Sequence, residues 1–211
     1  DPEKLLRIAH EWGVETEGKD IYDLAHEMAE IGLMEYGKPF GFQKFLSRMP
    51  EHTRELLIKN EIAPRAIDRE VASSLHMTHM GCSSKPEALV KQSLRCGMCD
   101  GWGGSMMGTE FSDVLFGTPK PIDTEANLGV MNAENVNIVV HGHDPSLSEM
   151  VCEYADDPEM IAYAKEMGAK GITVSGVCCT SNEVAMRRGI PMAGNFLQQE
   201  NVVLTDRKSV V

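Results

Sequence analysis

The feature that most constrains how this chain can fold is a pair of short β-branched runs with a helical segment between them. The runs are 136–140 (VNIVV) and 172–177 (ITVSGV), and the segment between them is rich in Glu, Met and Ala. Each run is too short and too continuously apolar for an exposed helix, so both are predicted to be strands. Two strands joined through a helical segment form a βαβ unit, in which the strands are parallel and the crossover is right-handed.

Histidines follow the first predicted strand and cysteines follow the second. The sequence is His141-Gly142-His143 after the first strand and Cys178-Cys179 after the second. Parallel strands deliver both segments to the same edge of the sheet, where imidazole and thiolate groups together form a candidate metal site. His141 and His143 face the same side if the strand persists; alternatively, one of them only lines the site.

The two adjacent cysteines point to opposite sides of the chain, so one of them is the candidate ligand. Cys179 is favoured, because Thr180 or Ser181 is predicted to cap a helix that begins there. The positive end of that helix would lower the pKa of the thiol and favour the thiolate. Structural burial of both Cys178 and Cys179 is the alternative.

The remaining four cysteines are weaker candidates. Cys96 and Cys99 have the CxxC spacing of zinc knuckles and redox dithiols, but they fall at the end of a predicted helix and no second CxxC follows. Metal binding there is not favoured. Cys82 and Cys152 have no spacing pattern and are predicted to be buried thiols.

Composition excludes several classes of partner. The chain has 211 residues and a formal net charge of −12, which argues against nucleic acid and anionic membrane surfaces. No signal peptide is recognisable and no apolar run is long enough to span a bilayer, so neither export nor membrane insertion is expected. Six cysteines without a disulfide pattern indicate a reducing compartment, and a cytoplasmic location is expected.

The predicted fold class is α/β, with a helical amino-terminal domain followed by a truncated Rossmann-like parallel domain. Helical periodicity dominates the first half, so the helical domain is assigned to 1–122 and the α/β domain, which carries the metal ligands, to 123–205. The glycine-rich stretch 101–104 is expected to break the helical pattern. A third parallel strand is predicted at 201–204.

Six stretches carry a specific resemblance: IAPRAIDREV (62–71), THMG (78–81), DGWGGSMMGTEFSDVLFGTP (100–119), EANLGV (125–130), VNIVVHGHDPSLSEM (136–150) and GAKGITVSGVCCTSNEVAMRRGIP (168–191). They resemble, in the same order, the catalytic subunit of the anaerobic nickel-iron carbon monoxide dehydrogenases, and the match covers nearly the whole chain. Members of that family interconvert CO and water with CO2, two protons and two electrons at a nickel-iron-sulfur cluster.

The resemblance implies roles for individual residues. The second histidine of HGH, His143, is expected to bind the unique iron of the cluster, and the second cysteine of GxCC, Cys179, is expected to bind the same cluster. His141 and Cys178 are expected to support these ligands from beside them. No catalytic residue is expected within the chain, and the ligands of the family's further [4Fe–4S] clusters are expected outside it.

The resemblance also implies the setting of the whole protein. The expected substrates are CO, CO2 and water, with a redox partner such as a ferredoxin, and the full-length subunit is expected to form a homodimer. The chain is similar to an internal fragment and is expected to be inactive alone. The similarity stops at 206–211, which is expected to be a non-native tail.

Two other functions stay open from the sequence. One is a self-contained zinc-binding module that uses His141, His143 and Cys179, although zinc needs about four ligands. The other is a hybrid-cluster oxidoreductase similar to the hydroxylamine reductases, a class that shares the architecture but does not carry the DGWGG stretch found at 100–104.

Overall fold

The computed structural model describes residues 1–204, apart from the side chain of Phe196, and the backbone of 209–210. The predicted tail at 206–211 therefore lies outside the described residues except for that short backbone segment. Within the described part of the chain, no helix is long and apolar enough to cross a bilayer.

The chain divides into two compact units, Asp1–Val114 and Leu115–Val211. The predicted domain boundary between 122 and 123 stays a prediction. In the part of the chain that the structure describes, the fold is mixed, with helices throughout and one small parallel sheet in the second unit.

Six α-helices begin in the first unit, and a capping aspartate marks the start of each of the first two. Asp1 caps the first helix by accepting a hydrogen bond from the Lys4 amide at 3.0 Å, and Pro2 occupies the first helical position. Asp20 caps the second helix through the Tyr22 amide at 2.9 Å. The helices are α1 Pro2–Glu11, α2 Ile21–Gly37, α3 Glu51–Lys59, α4 Ile67–Met77, α5 Pro86–Cys99 and α6 Met106–Phe116. The main core of this unit contains Leu5, Ile8, Ala9, Trp12, Leu24, Met28, Phe45 and Met107.

The prediction that the glycine-rich stretch breaks the helical pattern is wrong. Asp100–Ser105 forms a π-helical turn that joins α5 to α6 without interruption. Gly103 is required at this turn, because a Cβ there would collide with the side-chain amide of the buried Gln43. Gly103 therefore makes room for a neighbouring side chain at the π turn, and the glycine-rich stretch does not terminate the helix.

The second unit contains the predicted parallel pair. Strand β1 is Val136–His141 and strand β2 is Ile172–Val177, and they pair in parallel with Val136 opposite Ile172 and His141 opposite Val177. The parallel arrangement predicted for the two runs is confirmed. The connection contains two helices, α7 Pro145–Ala155 and α8 Pro158–Glu166, each preceded by a capping aspartate.

The prediction of a third strand at 201–204 is wrong. Most of that segment lies in a short helix, Gln199–Val203, which follows the helix α9 Cys178–Arg188 and is labelled α10. Asn195 and Gln198 form a reciprocal capping box on the 3₁₀ turn Phe196–Gln198, and α10 continues directly from that turn despite the β-branched residues in it. A two-residue strand, β3 Ser209–Val210, instead pairs in parallel with β1 on the side away from β2.

Candidate metal centre

The turn from β2 into α9 is tight and strained at Cys178. Cys178 has a φ of 75°, a left-handed conformation that costs a residue with a side chain about 1–3 kcal/mol. Gly176 makes the turn possible, because a Cβ there would collide with Ser181 in the first turn of α9. Ser181 Oγ donates to the Cys178 carbonyl at 2.8 Å. The turn leaves Cys178 buried and presents Cys179 on the surface.

The loop that contains His143 is attached to this turn by Thr180. The Thr180 amide donates to the Gly142 carbonyl at 2.9 Å, and its hydroxyl donates to the Asp144 carbonyl at 3.0 Å. Both Thr180 and Gly142 are covalent neighbours of a predicted ligand, Cys179 and His143 respectively. Standard backbone dimensions then limit the distance between the Cα atoms of His143 and Cys179 to at most about 8 Å.

His143 and Cys179 are both exposed, so each can reach a ligand outside the chain. Their donor atoms, an imidazole nitrogen and a thiolate sulfur, are common iron ligands. The prediction that the two side chains lie close enough to bind one cluster agrees with this backbone geometry and stays a prediction. Among the residues that the structure describes, no group of three or more His, Cys, Asp or Glu side chains could hold a metal ion.

His141 and His143 do not extend along one strand face. β1 ends at His141, and Gly142 turns the chain with a φ of 138°, so the condition for a shared face is not met. The half-buried His141 ring instead places Nε2 3.0 Å from Gln199 Oε1. This contact occupies Nε2 and leaves Nδ1 as the ring nitrogen of His141 that could bind a metal.

The expected lowering of the Cys179 pKa is not observed. The contact with the neighbouring Cys178 thiol, at 3.7 Å between the two sulfur atoms, raises the pKa of Cys179, and desolvation acts in the same direction. The predicted cap is also absent: α9 begins at Cys178, and the Thr180 and Ser181 hydroxyls bond to other carbonyl groups. A metal deprotonates a coordinating thiol, so binding at Cys179 would release a proton.

The chain matches the model of the Prismane/CO dehydrogenase family over residues 1–211. It belongs to this family. Carbon monoxide dehydrogenase 1 of Methanosarcina mazei is 47% identical over 205 residues, which are 97% of this chain and 33% of the relative. The carbon monoxide dehydrogenase/acetyl-CoA synthase subunit beta of Moorella thermoacetica is 38% identical over 208 residues, which are 97% of this chain and 30% of the relative.

Solved structures give the same assignment. An as-isolated, Ni-free crystal structure of carbon monoxide dehydrogenase from Thermococcus sp. AM4 superposes with a TM-score of 0.89 at 47% sequence identity. The match covers 100% of this chain and 34% of the Thermococcus chain. The chain therefore spans about a third of the length of the family members it matches.

The two cysteines of the CxxC pair, Cys96 and Cys99, lie on α5 and are half-buried and buried, respectively. Cys99 is buried and its Sγ accepts a hydrogen bond from Gln43 Nε2 at 3.0 Å, and burial raises the pKa of Cys99 to about 11. Cys96 is half-buried on the same helix. Cys152 is buried as predicted, and burial raises its pKa to about 11. The prediction that Cys82 is buried is wrong, because Cys82 is exposed in the turn that follows α4.

Sequence analysis missed a buried charge cluster that joins α7 to α9. The Glu149 carboxylate on α7 is almost fully buried and accepts from Arg187 Nη1 at 3.1 Å and Arg188 Nε at 2.6 Å. Arg187 also donates to the Gly117 carbonyl at 2.7 Å and to Glu183 at 3.2 Å. The adjacent arginines in the last turn of α9 are visible in the sequence, but the sequence alone does not indicate that their partner lies on another helix. This buried charge cluster holds α7 and α9 together, and the first turns of these two helices lie beside His143 and Cys179.

Proposed function

We propose that this chain forms part of a carbon monoxide dehydrogenase, an oxidoreductase that reversibly converts CO and water to CO2, two protons and two electrons. Its relatives carry that name, and the chain belongs to their family. The observation that carries the proposal is the hydrogen bond from Thr180 to Gly142, which holds the backbones of His143 and Cys179 side by side.

His143 and Cys179 are the proposed ligands of a nickel-iron-sulfur cluster. Both side chains are exposed, lie on adjacent backbones and end in donor atoms that iron accepts, so they fit one side of such a cluster. When bound, the cluster would supply the redox-active metals at which CO is oxidised. His143 would bind the unique iron through an imidazole nitrogen, and Cys179 would bind as a thiolate. No further residue of the chain is assigned a catalytic role.

The neighbouring residues would position these ligands. Cys178 supports Cys179 by forming the strained turn, and the contact between His141 and Gln199 anchors the end of β1. Thr180 is almost fully buried, so its bonds to the loop that contains His143 are shielded from water. The backbones of the proposed ligands would therefore be arranged before a metal arrives, which would lower the ordering cost of binding.

The properties of the whole protein are part of the same proposal. Further ligands, together with [4Fe–4S] clusters, would come from the two thirds of the relatives that this chain does not span. A redox partner such as a ferredoxin, a homodimeric subunit, a cytoplasmic location and an anaerobic source are proposed with them. The helical domain at 1–122 and the Rossmann-like domain at 123–205 are also proposals, supported by the parallel pair β1 and β2.

The alternative functions are less well supported. A zinc module would need a cluster of donors, and the described residues contain no group of three. A hybrid-cluster oxidoreductase belongs to the same broad family description, but the relatives described above are named carbon monoxide dehydrogenases.

A chimera tests the proposal with an existing enzyme. Residues 1–204 would replace the matching segment of the Thermococcus carbon monoxide dehydrogenase, and CO-dependent viologen reduction and iron content would be measured. We expect activity that is lost in both His143→Ala and Cys179→Ala, while the exposed Cys82→Ser variant keeps it. A chimera that folds and binds iron but does not oxidise CO would contradict the proposal, as would activity that survives both ligand substitutions.

A further inference from the structure

Two thiols of different accessibility lie in contact at the start of α9. Cys178 Sγ is 3.7 Å from Cys179 Sγ, and the two residues are adjacent in the chain. Cys179 is exposed, whereas Cys178 is only 9% exposed. An accessible thiol beside a protected one is the arrangement in which the first reacts with an oxidant and the second completes the exchange.

We propose that Cys178 and Cys179 form a redox modification site, which a small-molecule disulfide closes into a reversible disulfide between adjacent residues. The Cys179 thiolate attacks a sulfur of the oxidant RSSR, which forms a mixed disulfide and releases one RSH. Cys178 then attacks the Cys179 sulfur of that mixed disulfide and releases the second RSH. The two protein thiols lose two electrons and two protons, and the two RSH molecules carry them away.

The local backbone favours closure of this pair. The left-handed Cys178 breaks the regular helical path at its own position, so the two side chains meet instead of diverging around the helix. The sulfur atoms must approach from 3.7 Å to the S–S bond length of about 2.05 Å. Cys179 lies in the first turn of α9 and is exposed, so burial does not hold its side chain away from Cys178.

The bridge would be easy to reduce. Adjacent Cα atoms are about 3.8 Å apart across a trans peptide, which is below the usual disulfide range of about 4.4–6.8 Å. The resulting strain makes the bond more reducible, so a mild thiol reopens it. A readily reversed bridge suits a protective state better than a permanent structural one.

The consequence for the metal centre rests on the proposed function. Closure would remove the Cys179 thiolate from the proposed cluster ligands while the cluster is absent, and would protect that sulfur from irreversible oxidation. Formation of the bridge does not itself require a metal. The modification and the metal function can therefore be tested separately.

The test is mass spectrometry of the reduced 211-residue chain after exposure to glutathione disulfide. We expect the peptide that contains Cys178 and Cys179 to lose two hydrogen atoms and to carry no glutathione. The exposed Cys82 serves as an internal control, because it should retain glutathione and so report that the oxidant reached the protein. Dithiothreitol should restore the original mass of both peptides.

Single substitutions separate the two roles. In Cys178→Ser, Cys179 should accumulate a stable glutathione adduct, because no second thiol completes the exchange. In Cys179→Ser, the buried Cys178 should remain unmodified. The proposal is overturned if the unsubstituted chain keeps glutathione on Cys179, or if Cys178→Ser gives the same product as the unsubstituted chain.

The contribution of the fold is measured by repeating the reaction in urea, with circular dichroism to show which samples are folded. The closed fraction should be larger in the folded chain than in the unfolded chain at the same glutathione disulfide concentration. Equal fractions would show that the turn geometry plays no part and would also overturn the proposal. None of these measurements uses metal or CO, so they stand or fall independently of the chimera assay.

Discussion

Thr180 and Gly142 are joined by a 2.9 Å backbone hydrogen bond that connects the start of α9 to the end of β1. This bond places the two predicted ligands, Cys179 and His143, on neighbouring stretches of backbone. A parallel sheet alone brings them to the same edge. The hydrogen bond, strengthened by the Thr180 hydroxyl, fixes the loop at that edge before any metal is bound.

Thr180→Val should destabilise the fold while keeping the shape of the side chain. The hydroxyl donates to the Asp144 carbonyl and lies 3.2 Å from Ser148 Oγ, and both contacts are lost. Leaving buried polar groups unpaired costs about 1–3 kcal/mol, which urea unfolding would measure. The exposed Thr109→Val on α6 is the matched control and should change stability by no more than about 0.5 kcal/mol. Equal effects at the two positions would contradict the role assigned to Thr180.

Glu149→Gln should be more damaging, because it leaves two arginines without their shared buried carboxylate. Removing one partner of a buried ion pair costs about 3–5 kcal/mol. Glu153→Gln is the control on the same helix: its side chain is 64% exposed and pairs with Arg188 at the surface, so a loss of about 0–1 kcal/mol is expected. The free energies of unfolding of the two variants would be measured by urea titration. A loss in Glu149→Gln no larger than in Glu153→Gln would contradict the role assigned to the buried charge cluster.

The parts of the site that depend on local sequence pattern and on chain connection could be predicted from the sequence. Continuous β-branched runs identified β1 and β2, and the connecting helices required them to be parallel. The edge at which His143 and Cys179 emerge followed from that arrangement. The Thr180 contacts could not be predicted, because a buried threonine has the same sequence signature whether its hydroxyl bonds locally or to a distant loop.

Other errors arose where two structures satisfy the same local pattern. Val202-Val203-Leu204 is typical of a strand, but it follows a capped 3₁₀ turn, and most of it continues that turn as part of α10. The glycines at 101–104 permit a break as readily as a widened helix, and the buried Gln43 amide decides between them. Both outcomes depend on packing partners that local periodicity does not contain.

Gly103→Ala should therefore destabilise the first unit. A Cβ at Gly103 would displace the Gln43 amide, which is buried and donates to Cys99 Sγ at 3.0 Å. Overpacking of this kind costs about 1–3 kcal/mol. Gly97→Ala on α5 is the matched control, because a Cβ there meets no atom within 4 Å and should stabilise the helix by about 0.5–1 kcal/mol. Thermal unfolding of both variants would test the opposite signs, and a neutral Gly103→Ala would contradict the packing argument.

Ionisation of the buried Cys152 thiol should lower the free energy of unfolding at alkaline pH. Burial raises the pKa of Cys152 to about 11, above the value of about 8.5 in an unfolded chain. The folded state then holds the proton more tightly, so this contribution is fully present below pH about 8.5 and is lost as pH rises toward 11. Measured by urea unfolding across that pH range, the free energy of unfolding should decline less steeply with pH in Cys152→Ala than in the unsubstituted chain. Cys82→Ala, at an exposed thiol, should leave the decline unchanged, and an unchanged decline in Cys152→Ala would refute the assignment.

The isolated 211-residue chain should neither oxidise CO nor assemble a stable nickel-iron cluster. Cluster assembly depends on several protein ligands bound together, and His143 and Cys179 leave most coordination positions to solvent or small thiols. The described residues contain no third donor grouped with them. Anaerobic reconstitution with iron, sulfide and nickel, followed by metal analysis and viologen reduction under CO, is the measurement. Turnover above a metal-only control, if lost in His143→Ala or Cys179→Ala, would show that the chain carries a more complete metal centre than these two ligands provide.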